Sequence, residues 1–109
     1  MKIKIANIIQ SPFAIYHNEG IEIYKILEQA LANNEKIEIS FDGIKRCSTQ
    51  FLNACIGKLY LLKEPQLVDH SISFDYSIHP PLLKAKIDEV RSNAISHKEY
   101  DSYIENATA

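Results

Sequence analysis

The chain predicts an α/β domain, a mixed β-sheet packed against helices in the order β-(β)-α-β-α-β-α, with the second strand only a candidate. Two stretches carry a period of two. Ile37, Ile39 and Phe41 alternate with Glu38 and Ser40, and Ile72, Phe74, Tyr76 and Ile78 alternate with Ser71, Ser73, Asp75 and Ser77. This is the pattern of strands with one buried face. Apolar residues recur instead at three and four from about Gly20 to Ala32, from about Thr49 to Leu62, and after Pro81, as in amphipathic helices. The two periods alternate along 109 residues, a length that suits one core and a layered α/β arrangement.

Lys2 to Ile9 reads as the first strand, because Ile3 and Ile5 alternate with Lys2 and Lys4. Gln10-Ser11-Pro12 ends it, since proline cannot donate to a ladder. Phe13 and Ile15 then anchor a short extended segment, a candidate hairpin partner, and His17 to Gly20 reads as a turn. The first helix buries Ile23, Tyr24, Leu27, Ala30 and Leu31 and turns Glu22, Lys25, Glu28 and Gln29 outward. Asn33 to Lys36 closes it, asparagine being tolerated as a left-handed cap. The central strand Ile37 to Phe41 follows, and strand-helix-strand suits a right-handed crossover where the strands are parallel neighbours.

Asp42-Gly43 marks a tight turn, Ile44 resumes the apolar pattern, and Ser48 or Thr49 is a natural N-cap for the second helix. That helix buries Phe51 or Leu52, Cys55, Ile56, Leu59 and Leu62. Gly57 inside it costs about 1 kcal/mol against alanine, which close packing against a neighbour would explain. Pro65 ends the helix, and Leu67 to His70 reads as a helical turn before the strand Ser71 to His79. Pro80-Pro81 starts a third helix with a stripe of Leu83, Ile87, Val90 and Ala94, flanked by Leu82 and Ile95. The domain is expected to span residues 1–98. Residues 99–109 form a polar tail, loose at its end, whose Tyr100, Tyr103 and Ile104 either extend the helix or dock on a partner.

Bulk properties exclude several classes. Net charge is −2 with no basic run, so nucleic-acid binding has no electrostatic support. No apolar run is long enough for a membrane span, and the first ten residues lack a signal-peptide layout, so the cytoplasm is the expected address. Cys47 and Cys55 lack metal-ligand spacing and read as small apolar residues of a reducing compartment. His17, His70, His79 and His97 are scattered, so no metal and no cofactor is expected. No P-loop, GxGxxG, GxSxG or HExxH motif is present, and no enzymatic activity is expected. Cys47 precedes a helix start, a position that lowers a thiol pKa, but no base is identifiable beside it.

The stretch Ser40-Phe41-Asp42-Gly43-Ile44, followed by Ser48-Thr49-Gln50-Phe51-Leu52, resembles the STAS family of sulfate-transporter and anti-sigma-factor-antagonist domains. The closest resemblance is to the STAS-like family of small bacterial proteins with no assigned function, over roughly Ile3 to Ile95. It implies a STAS-like fold and a protein that works by binding. In anti-sigma factor antagonists the hydroxyl at the start of this helix is phosphorylated by a partner kinase. By position that residue is Thr49, with Ser48 where the family's aspartate stands and Gln50-Phe51 in place of Ser-Gly. The partner implied is a histidine-kinase-like ATPase or an anti-sigma factor.

Ser48 and Thr49 therefore carry two readings, a helix cap and nothing more, or a regulated hydroxyl on a contact surface. Asp42 reads as a turn former or as a charged rim, and Lys45 and Arg46 as a solvated loop or as a steering patch for an acidic partner. Gln50, Asn53, Ala54, Gly57 and Lys58 form a small-residue surface on the second helix that would let another backbone approach. The expected partner-binding set is Asp42, Lys45, Arg46, Ser48, Thr49, Gln50 and Asn53. The alternative is a scaffold subunit that self-associates, as a homodimer, through a sheet edge or the tyrosines of the tail.

Overall fold

The computed structural model describes residues 1–76 and the helix 80–108, with the side chains of that helix from 81 to 98. The predicted strand positions Ser77, Ile78 and His79, and the side chains of Tyr100, Tyr103 and Ile104, lie outside the described residues. Three strands, β1 (Lys2–Lys4), β3 (Ile37–Ser40) and β5 (Ile72–Asp75), form a sheet in the order β1-β3-β5. A separate pair joins β2 (Phe13–Ala14) to β4 (Arg46–Cys47). Every pairing among the described residues is parallel, so the expected mixed sheet is corrected. Parallel neighbours need crossovers, and the helices supply them.

The strand pleat sorts the side chains. Ile3, Ile37, Ile39 and Ile72 are buried in one cluster with Ile23, Leu27, Leu52, Ile56 and Leu59 of the helices. The opposite face carries Lys2, Lys4, Glu38, Ser40, Ser73 and Asp75. There Lys2 Nζ lies 3.7 Å from Glu38 and 4.0 Å from Asp75, and Ser40 Oγ donates to Asp75 Oδ2 at 3.3 Å. A polar ladder thus lies on the sheet face opposite the hydrophobic cluster.

The predicted first strand is shorter than its alternation suggests. After Lys4 the chain turns into a helix, α1 (Ile5–Ile9), which ends on Gln10 with a φ of 54°. Four of the five residues Ile5, Ala6, Asn7, Ile8 and Ile9 are apolar, and Ala6, Ile8 and Ile9 pack against the core at helical rather than alternating positions. The candidate hairpin partner is real but pairs elsewhere: β2 runs parallel to β4, matching Phe13 to Arg46 and Ala14 to Cys47. The first long helix, α2 (His17–Ala32), begins three residues before Gly20, so His17 to Gly20 is its first turn rather than a preceding one. Past Asn33, it is Asn34 that takes the left-handed conformation, with a φ of 57°.

The second helical stretch runs as α3 (Thr49–Leu52), a π-helical turn (Asn53–Gly57) and α4 (Lys58–Leu62). The wider turn advances the helical phase by one position. Leu62, expected inside, is 56% exposed, while Tyr60 is buried. α5 (Pro65–Ser71) opens on its proline and contains the helical turn expected at Leu67 to His70, so β5 starts at Ile72. α6 (Pro80–Thr108) buries Leu83, Ile87 and Val90, but Leu82 is 61% exposed. Its backbone stays helical across residue 98, with no break at the expected start of the tail. No helix among the described residues is long and apolar enough to cross a membrane.

Two glycines set how closely the helices approach. A Cβ on Gly20 of α2 would stand 2.6 Å from Ala54 Cβ and 2.7 Å from the Phe51 carbonyl oxygen. At Gly57 it would meet Val90 Cγ1 and Asn53 Oδ1, each at 3.2 Å. Ala54 and Gly57 are buried, and Lys58 Nζ lies 4.6 Å over the Tyr24 ring. Ala54 and Gly57, expected to face outward with Gln50, Asn53 and Lys58, therefore belong to the seam that receives α2 and α6 inside the domain, whereas Gln50 and Asn53 stay exposed.

Gly20→Ala is expected to destabilise the fold by about 1–3 kcal/mol, because a backbone oxygen blocks the added methyl. Gly57→Ala should stay within about 1 kcal/mol of wild type, since helix propensity offsets a contact with movable side-chain ends. Urea unfolding of the two variants checks the order.

At the junction of α5 and α6, Arg91 donates to both oxygens of Asp69, at 3.1 Å from Nε and 2.6 Å from Nη2, and the Tyr60 hydroxyl donates to the same carboxylate. Arg91 holds the Asp69 carboxyl below its ordinary value, and this outweighs the opposing effect of burial. The pair contributes in full above the unfolded-state value near pH 4. It is lost as pH falls through the lower folded-state value. The stability difference between wild type and Asp69→Asn should accordingly hold from neutral pH to about pH 4 and shrink below it, as read by denaturant unfolding across that range.

Candidate functional site

The loop after β3 is built by local chemistry. Phe41, Asp42, Gly43 and Ile44 form a tight turn closed by the Ile44 amide donating to the Phe41 carbonyl at 3.0 Å, and Gly43 supplies the required positive φ, 84°. Asp42 is exposed, and its carboxylate pairs with Lys4 Nζ at 3.3 Å. Its amide donates to Ser40 Oγ at 3.3 Å. Asp42 thus ties the turn to β1, a role beyond forming the turn itself.

Segment 12–15 then stitches the loop down. The Lys45 amide donates to the Pro12 carbonyl at 2.7 Å, and the Ser48 amide to the Ala14 carbonyl at 2.9 Å. Ser48 is the N-cap of α3: its Oγ accepts from the Phe51 amide at 3.0 Å and donates to the Ile15 carbonyl at 2.7 Å. Both functions of that hydroxyl are used. Thr49, the next residue, is exposed at the first position of α3. The two hydroxyls, equivalent in the sequence, are separated by the fold into one structural and one accessible group.

Lys45, Arg46, Gln50 and Asn53 are exposed, and Thr49, Gln50 and Asn53 lie on adjoining positions of one helix surface. The seven expected residues lie along one loop and the helix turn that follows it, as their sequence positions require, with Ser48 alone half-buried. Ala54 and Gly57 leave this surface for the interior.

Below the loop lies a cavity of about 480 Å³ between β4 and the start of α6. Its apolar lining comes from Ile15, Phe41, Ile44, Leu82 and Leu83, and Lys45, Arg46 and Lys86 bring positive charge. Sequence reasoning missed Lys86, which comes from a helix some forty residues further along the chain and donates to the Cys47 carbonyl at 3.0 Å. Cys47 also lines the cavity, but burial pushes its thiol up to about 12 against the opposing pull of Lys86. The lowered pKa that a helix start suggests is thus reversed by desolvation. Burial likewise raises Cys55. Among the described residues no cluster of His, Cys, Asp and Glu is arranged to hold a metal ion.

A family model described as a STAS-like domain of unknown function (DUF4325) matches residues 19–75, just over half of the chain. The match takes in α2 from its third residue, β3, the loop, the whole helical stretch after it and β5, and stops before α6. No curated protein and no solved structure matches the chain.

Ser48→Ala should cost about 1–2 kcal/mol, since it removes the cap and leaves the Ile15 carbonyl without its donor. Thr49→Ala should fall within about 0.5 kcal/mol of wild type. Thermal or urea unfolding of both variants distinguishes the cap from the exposed hydroxyl.

Proposed function

The chain belongs to the STAS-like domain family, and we propose that it is a non-catalytic signalling protein that acts by binding another protein. The partner is a histidine-kinase-like ATPase or an anti-sigma factor. The contact is carried by Asp42, Lys45, Arg46, Gln50 and Asn53 around Thr49, on a backbone positioned by Ser48. The observation that supports this most is the separation of the two hydroxyls: Ser48 is consumed by the cap, whereas Thr49 is exposed at a helix start. A phosphate on Thr49 would be welcomed by the helix dipole and would add a charge of about −2 to a surface otherwise suited to acidic partners. Unmodified protein binds, and modified protein releases.

Self-association as a scaffold is the second reading. The sheet leaves β1 and β5 as edges, which motivates it. Those strands have three and four residues, and β1 carries Lys2 and Lys4, features that discourage edge pairing.

The test is affinity capture from a lysate of the source cells with wild type, Thr49→Ala and Thr49→Glu side by side. Wild type and Thr49→Ala are expected to retain an ATPase or sigma-regulating partner, and Thr49→Glu to lose it by on the order of tenfold, as a repulsive charge at an interface costs more than 1 kcal/mol. Equal capture by all three forms would place the interface elsewhere. An intact-mass measurement after incubation with the captured kinase and ATP would add one phosphate to wild type and none to Thr49→Ala.

A further inference from the structure

We propose that the cavity between β4 and the start of α6 is a binding site for a small amphipathic anion, an anionic head group on an apolar body. The inference does not depend on a protein partner. It starts from an imbalance of charge. Lys2, Lys4, Lys63, Lys84 and Arg91 each sit within salt-bridge distance of an acid. Lys45, Arg46 and Lys86 line the cavity, and among the described residues no acidic one lines it with them. Among the described residues Lys86 Nζ donates to the Cys47 carbonyl, at 3.0 Å, which orients its charge without neutralising it. Other lysines also lack an ion pair, but in a chain of net charge −2 these three cations converge on one cavity, with no acidic side chain among the described residues of its lining.

The rest of the cavity has the opposite character. Phe41, Ile44 and Leu83 are buried, Ile15 is half-buried, and Leu82 leaves most of its side chain open at the rim. An apolar interior with a few convergent polar groups is the usual make-up of a small-molecule site, and about 480 Å³ lies within the usual range of a few hundred to about 1,000 Å³. The position agrees. Phe41 and Ile44 directly follow β3, so the cavity lies beyond the carboxyl end of the central parallel strand, where open α/β sheets hold their ligands. The apolar body would cover Phe41, Ile44 and Leu83, which removes apolar surface from water. The head would stay at the mouth against Lys45, Arg46 and the free hydrogens of Lys86, forming charge-assisted hydrogen bonds.

The test uses the full chain and defined probes. Decanoate and decyl phosphate are titrated against the isotopically labelled protein, with 1-decanol as the uncharged counterpart, and backbone amide shifts are followed. Both anions are expected to move the amides of residues 41–48 and 82–86, and 1-decanol to bind at least tenfold more weakly. The tighter of the two anions identifies the head group as carboxylate or phosphate. Lys45→Gln/Arg46→Gln, in which two exposed side chains change, should unfold at the wild-type denaturant midpoint and lose anion affinity by on the order of tenfold or more, the equivalent of one or two charge-assisted hydrogen bonds. Lys86→Gln, which keeps a donor for the Cys47 carbonyl, should lose affinity likewise. The proposal is overturned if neither anion shifts these amides at millimolar concentration, if 1-decanol binds as well as decanoate, or if the double variant keeps wild-type affinity.

Discussion

Ser48 ties together the segment after β2, the end of the loop and the start of α3. It donates to Ile15 of the segment after β2 and accepts from Phe51 at the start of α3, and its own amide holds Ala14. Without that junction the short β2–β4 pair would have two residues on each side and little else to maintain it, and a pair this short has no independent stability. The loop between β3 and α3 would lose its second anchor. The helical stretch from 49 to 62 forms the centre of the domain, between α2 on one side and α6 on the other. Where its first turn begins decides which residues face Gly20 and Val90. One serine therefore helps fix where the central helix begins, together with the burial of Phe51 and Leu52.

Much of this was legible in the sequence, for identifiable reasons. The strand at Ile37, the helix stripes at Ile23, Leu27 and Leu31 and at Leu83, Ile87 and Val90, and the capping position at Ser48 and Thr49 depend on local pattern alone, and each is found where the pattern places it. The departures come from contacts distant in sequence. Ile3 and Ile5 alternate as in a strand, but Ile5, Ile8 and Ile9 recur at helical spacing, and the packing of Ile8 and Ile9 on the core decides for a helix after Lys4. Nothing in 13–15 announces that its partner lies past residue 44, since parallel pairing leaves no turn signature.

The π-helical turn explains a further group of misreadings. A regular helix from Thr49 would have presented Ala54 and Gly57 on the surface with Lys58. The wider turn and the burial of this stretch on nearly every side bring both inside, where absence of bulk is required by the neighbouring helices. Composition suggested that a neighbour approaches these small residues closely, and one does: Gly20 of α2 at Ala54 and the Val90 side chain of α6 at Gly57, both from the same chain.

The fixed backbone of the loop bears on how it would act as a contact surface. Residues 41–48 are held by the turn hydrogen bond, by Lys4 on Asp42, by Pro12 and Ala14, and by Lys86 on Cys47. A partner that docks on Lys45, Arg46 and Thr49 therefore meets groups already in place. It avoids most of the entropy cost of ordering a free segment. A modification of Thr49 would then act through charge rather than by folding or melting the loop, because the anchors are supplied by Ser48 and by backbone groups that the threonine side chain does not contribute to. The same rigidity holds the mouth of the cavity open in front of three cations. The loop is organised from below by the protein's own hydrogen bonds, and of its charged side chains Asp42 is engaged by Lys4 while Lys45 and Arg46 line the cavity.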